Sequence, residues 1–129
     1  MSDEFHPPRR TWPQKFACAF RGIWLGVQGQ SSFAVHMAAG LLVVLAAAVL
    51  GANRIEWCIL LLCVTVVLTA EMFNSALEKL AKAVDQSENQ FISQALDIGS
   101  AAVLVAAAGA SIVGAIVFLA RLATWLQPN

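Results

Sequence analysis

The sequence predicts an all-α integral membrane protein with three transmembrane helices and an N-terminal amphipathic surface helix. Three observations predict it. Apolar residues make up 59% of the chain and charged residues 12%, against roughly 45–50% and about 25% in soluble domains. Spans are expected at about 33–50, 55–83 and 93–122, each at least as long as the roughly 17–25 residues that a helix needs to cross a bilayer. Short polar breaks at 51–54 and 85–90 separate them. The formal net charge is zero, so nothing calls for nucleic acid as a partner.

The chain's 129 residues suit one domain. Residues 1–14 hold Pro7, Pro8 and Pro13 and read as a mobile cytoplasmic tail. The membrane-embedded domain is expected over 15–125. Its first element, Lys15 to Val27, carries Phe16, Phe20, Ile23, Trp24 and Val27 at helical spacing, with Lys15 and Arg21 beside them. That pattern suits a helix lying on the membrane surface; a short cytosolic helix packed on the bundle is the alternative.

Gly29 to Ser32 reads as a break, and the first span follows from Phe33 to Leu50. A signal peptide is the rival reading of that run, but the segment leading into it is too long. His36, alone in the span, reads as a hydrogen-bond partner between helices. Gly51 to Arg54 forms a tight turn. The second helix runs from about Ile55 to Ala83, and the third from about Ser93 to Trp125. Ala102, Ala106, Ala110 and Gly114 are spaced by four on the third helix, and small faces let helices approach closely in lipid. Cys18, Cys58 and Cys63 read as small buried hydrophobes.

Arg9, Arg10, Lys15 and Arg21 precede the first span, and Lys79 and Lys82 fall on the same side. Arg54 and Arg121 fall on the other. Cytoplasmic segments carry the excess of Lys and Arg, so the N-terminus and the second loop are expected in the cytoplasm. Trp12 and Trp24 then lie near the inner interface, and Trp57 and Trp125 near the outer one.

A polar stripe interrupts the second helix. Glu71 ends an apolar run that begins at Ile55, and Asn74, Ser75 and Glu78 follow on the same helix face. Carboxylates near lipid are expensive and mark function. Sixteen helical steps lead from Ile55 to Glu71, about 24 Å of helix, so Glu71 lies just inside the cytoplasmic edge of a hydrocarbon core about 30 Å thick. Glu78 lies about 10 Å closer to the cytosol. One carboxylate is thus at the depth of a lipid hydroxyl and the other within reach of a water-soluble phosphate donor. Asp97 opens the next apolar run. There is no Gly-rich phosphate loop and no HExxH zinc motif. A proton-relay or transport subunit would also hold intramembrane carboxylates, but would not need the whole N-S-A-L-E stripe.

E-M-F-N-S-A-L-E, Glu71 to Glu78, resembles the signature of the small prokaryotic diacylglycerol kinase family, which includes undecaprenol kinases. D-I-G-S-A-A-V-L, Asp97 to Leu104, is a second match in register. The resemblance covers about Lys15 to Arg121. It implies a lipid kinase of the bacterial inner membrane, active in phospholipid metabolism, forming a homotrimer with sites shared between subunits. It implies ATP and Mg2+ as cofactors and a membrane lipid as substrate, most simply diacylglycerol converted to phosphatidic acid. The alternatives are undecaprenol, or a non-catalytic relative that binds lipid or nucleotide. By the same resemblance, Glu71 is the catalytic base and Asn74 supports it. Glu78 holds the metal and nucleotide, Asp97 lies at the nucleotide, and Ser100 approaches the lipid.

Three positions depart from the family's pattern. Gln30 stands where a metal-binding Glu is usual, Lys82 where an Asp is usual, and Leu96 where a Lys is usual. Lys82 is therefore a candidate nucleotide contact in place of the missing lysine, with a helix-face ion pair to Glu78 as the other reading.

Overall fold

The computed structural model describes residues 9–28, 31–84 and 89–127. Its elements are four helices: α1 (Trp12–Val27), α2 (Ser31–Val49), α3 (Arg54–Val84) and α4 (Gln90–Leu126). Among the described residues there is no strand. Helices α2, α3 and α4 are each long and apolar enough to cross a membrane. The expected fold class is thus the observed one, with each spanning helix slightly displaced at its ends. Most of the expected N-terminal tail, residues 1–8, lies outside the described residues, as does Gln30.

Helix α1 starts three residues before the expected Lys15. Pro13 occupies its first turn, where a proline gives up no helical hydrogen bond, and Gln14 Oε1 accepts from the Thr11 N–H at 2.9 Å. The C-terminal end of α1 docks on α3: Lys79 Nζ donates to the Leu25 carbonyl at 2.6 Å. Lys79 thus tethers α1 to α3. Phe16, Phe20, Ile23 and Trp24 stay exposed. The chain leaves this apolar stripe uncovered, which favours the surface-helix reading over a helix packed on the bundle.

The turn between α2 and α3 is built by Gly51 and Asn53. Gly51 takes φ +65°, a conformation that costs glycine little. Asn53 Oδ1 accepts from the N–H groups of Ile55 and Glu56 at 2.9 and 3.0 Å, and Glu56 Oε2 accepts from the Asn53 N–H at 2.8 Å. These reciprocal bonds satisfy donors that a helix start leaves open. Asn89 caps α4 in the same way, accepting from Phe91 N–H at 3.0 Å, so α4 begins three residues before the expected Ser93.

Helix α3 is central, with α2 and antiparallel α4 against it. At the end far from Glu71, Ala47, Leu60 and Val117 form a small buried core flanked by Val43, Trp57 and Phe118. There Arg121 Nε donates to Glu56 Oε2 at 2.6 Å, so Arg121 clamps α4 to α3. The small-residue stripe of α4 is not one outward face. Ala102 is exposed, whereas Ala110 and Gly114 line a cleft between α2, α3 and α4.

Candidate active site

The polar stripe of α3 faces inward. Glu71, Asn74 and Ser75 are 1%, 7% and 2% exposed, and Glu78, one turn further, is half-buried. Helical spacing alone puts these four on one face; the packing of α2 and α4 buries that face. A buried carboxylate needs partners. Glu71 finds them on α2: Ser32 Oγ donates to Glu71 Oε1, and His36 Nε2 stands 3.8 Å from Oε2. At that separation His36 is beyond hydrogen-bond reach.

Asn74 links Glu71's turn to Glu78. Its Nδ2 donates to Glu78 Oε1 at 3.2 Å, which fixes the position of that carboxylate. Its Oδ1 is buried without a hydrogen bond among the described residues and lies against Gly99 of α4. A Cβ on Gly99 would fall 2.6 Å from Asn74 Oδ1 and 3.1 Å from Leu77 Cδ1. Only glycine leaves room for this approach. Gly99→Ala is expected to cost about 1–3 kcal/mol through overpacking, read as a lower thermal midpoint in detergent together with reduced turnover. Stability and turnover equal to wild type would show that the α3–α4 seam at Asn74 is loose.

The other candidates lie apart from this cluster. Asp97 and Ser100 are exposed, and Ser100 Oγ donates to its own helix, at the Leu96 carbonyl, at 3.0 Å. Gly99 holds the α3 side of α4, and Asp97, two residues away, points roughly 200° round the helix. The single chain therefore brings Glu71, Asn74 and Glu78 together but directs Asp97 away from them. Lys82 is exposed on the last turn of α3.

Ser32 and Gly99 were not singled out from the sequence. The signal for Ser32 was present: Ser32 and His36 are four apart, so both polar residues share the α2 face that meets Glu71. The signal for Gly99 was not, because closeness to Asn74 is a property of the packed pair.

Residues 17–118, from α1 to the last third of α4, match the model of the family described as prokaryotic diacylglycerol kinase. The chain belongs to this family. It is 28% identical over 109 residues to the undecaprenol kinase of Bacillus subtilis (strain 168), a match that covers 84% of this chain and 89% of that one. It is 35% identical over 106 residues to a diacylglycerol kinase of Synechocystis, covering 78% of this chain and 61% of the relative's length. Searches of the solved structures gave no significant match. Members of the family are prokaryotic lipid kinases, and the family match spans every helix that carries the site. The two relatives' names differ in the lipid, so the names alone do not choose a substrate.

Proposed function

We propose that this protein is an ATP- and magnesium-dependent lipid kinase of the bacterial inner membrane, with its N-terminus in the cytoplasm. The single observation that carries this reading is the buried Glu71, held by Ser32 and joined through Asn74's turn to Glu78. Residues 15–125 form the kinase domain.

Phosphoryl transfer demands positioning, charge neutralisation and a base near the attacking hydroxyl. Glu71 Oε2 takes the proton of the lipid hydroxyl as its oxygen attacks the γ-phosphorus. The bond to the bridging oxygen breaks, and the nucleoside diphosphate leaves with that electron pair. Asn74 holds Glu78 in place at the depth where nucleotide enters. Glu78 offers one carboxylate, and magnesium uses one or two carboxylates together with substrate phosphates and water. Glu78 would hold the ion, which when bound would neutralise phosphate charge. Gln30, with a neutral amide, would be at most a weak further ligand.

Asp97, Ser100 and Lys82 are proposed to act on the nucleotide and lipid of a neighbouring subunit. Their exposure and the outward direction of Asp97 support a site shared in a homotrimer. Mass measurement in mild detergent is expected to give a trimer, and an active monomer would remove this part of the reading.

The substrate is a membrane alcohol, with diacylglycerol the first reading and undecaprenol the alternative. The purified protein in mixed micelles, offered each lipid separately with labelled ATP, separates them. Transfer to one lipid names the substrate, and transfer to neither supports the non-catalytic relative.

A further inference from the structure

Helix α2 meets α3 along one row of contacts. The buried residues of α2, Phe33, Gly40 and Ala47, are seven apart and so share a face. At one end of the row Ala47 packs with Leu60 of α3 in the small buried core. Further along, a Cβ on Gly40 would fall 3.0 Å from Val64 Cγ1, so the two helices approach closely there. At the other end Ser32, next to the buried Phe33, donates its hydroxyl hydrogen to Glu71 Oε1. As α2 is followed back from Ala47 through Gly40 to Ser32, the partners on α3 run forward from Leu60 through Val64 to Glu71. The whole antiparallel seam, rather than a loose turn, delivers the Ser32 hydroxyl to the carboxylate.

A glutamate carboxylate turns about a terminal torsion that is broad and roughly two-fold, so an untethered group exchanges its two oxygens. Glu71 is 1% exposed, which leaves protein groups rather than bulk water to orient it. Asn74 is engaged elsewhere, with Nδ2 donating to Glu78 and Oδ1 against Gly99. His36 Nε2, at 3.8 Å from Oε2, is too far for a hydrogen bond. Ser32 is thus the α2 group that hydrogen-bonds the carboxylate. A serine hydroxyl has one hydrogen to donate, so it distinguishes Oε1 from Oε2.

We propose that Ser32 is a positioning residue of the transfer reaction, acting through Glu71. Its hydroxyl pins Oε1 and holds the carboxylate at one rotation, with Oε2 presented to the lipid hydroxyl. A base held in one orientation needs no alignment at the moment of attack. Ser32 itself touches neither lipid nor nucleotide in this scheme. The inference rests on the lipid-kinase reading of Glu71.

Ser32→Ala, Ser32→Thr and Ser31→Ala test this in the full chain in mixed micelles. Each is assayed with Glu71 intact and with Glu71→Gln, and oligomer mass is recorded. Ser32→Ala is expected to lower kcat about 10–100-fold, the worth of a hydrogen bond to a charged group, with KM for lipid and for ATP unchanged. Ser32→Thr keeps the hydroxyl and most of the rate. Ser31 is exposed one residue earlier, and Ser31→Ala keeps the wild-type rate. In the Glu71→Gln background Ser32→Ala should cause no further loss, because no base remains to be aligned. An equal loss in both backgrounds would make Ser32 structural and overturns the proposal. A wild-type kcat in Ser32→Ala overturns it too.

A second readout is independent of turnover. In protein carrying isotope-labelled glutamate, the nuclear magnetic resonance signal of the Glu71 carboxyl carbon is the one that Glu71→Gln removes. Ser32→Ala is expected to shift that signal and Ser31→Ala to leave it in place. An unshifted signal in Ser32→Ala shows that the hydroxyl does not hold the carboxylate, and overturns the proposal whatever the rates. If wild type phosphorylates neither lipid, the kinase reading fails and the part of Ser32 in transfer fails with it. If wild type phosphorylates a lipid while the signal stays unshifted or the two losses are equal, the proposal for Ser32 alone fails.

Discussion

Glu71→Gln is expected to lower turnover about 10²–10⁴-fold, the usual contribution of a general base, while nucleotide affinity stays the same. Glutamine keeps the size of Glu71 and an oxygen that accepts from Ser32, so the α2–α3 contact made through Oε1 survives. Oε2, the oxygen beside His36, becomes an amide nitrogen that cannot take a proton. The loss should therefore fall on the chemical step and leave ground-state binding intact. Steady-state kcat and an ATP titration on the same preparation check this, with assembly verified first. A variant that binds ATP normally and turns over at the wild-type rate would remove Glu71 from catalysis.

Glu78→Gln is expected to weaken magnesium–ATP binding about 10–100-fold, the worth of one charge-assisted contact, and to reduce turnover with it. Glutamine still offers an oxygen to Asn74 Nδ2, which bonds Glu78 Oε1 in the wild type, so the local geometry has a substitute. What disappears is the negative charge that suits a hard cation. Raising magnesium should recover part of the lost affinity. ATP titrations at low and high magnesium measure both effects, and an unchanged affinity with a reduced kcat would place Glu78 in the chemical step instead. If both substitutions only dissociated the oligomer, the polar stripe would be structural.

Much of the architecture is legible in the sequence because lipid imposes strict requirements on it. A chain with long apolar runs has to satisfy its backbone within helices, so α2, α3 and α4 follow from length and hydropathy. Glu71, Asn74 and Glu78 are also legible, since spacing of three, four and seven on one helix fixes a shared face whatever surrounds it. Helix ends are less so. Pro13 reads as part of a tail, yet a first helical turn accepts proline readily. Ser31 and Ser32 read as a break, yet they form the first turn of α2, and Ser32 supplies the hydroxyl that meets Glu71.

Contacts between helices are the least legible. His36 faces Glu71 across the α2–α3 contact, but at 3.8 Å it does not make the expected hydrogen bond between helices. Gly99 carries no polar mark; its role depends on the rotation of α4 that brings it onto Asn74. That same rotation turns Asp97 and Ser100 outward. A linear motif places these residues on one family signature but not on one face.

The central claim is that Glu71 serves as the base of a kinase acting on a membrane alcohol. The most direct test is transfer of labelled γ-phosphate from ATP into extracted lipid, with magnesium present and diacylglycerol and undecaprenol supplied in separate micelles. The account predicts label in one of these lipids with wild-type protein, and a loss of about 10²–10⁴-fold in its rate with Glu71→Gln. Label appearing in neither lipid with wild type, or appearing equally fast with Glu71→Gln, would contradict it.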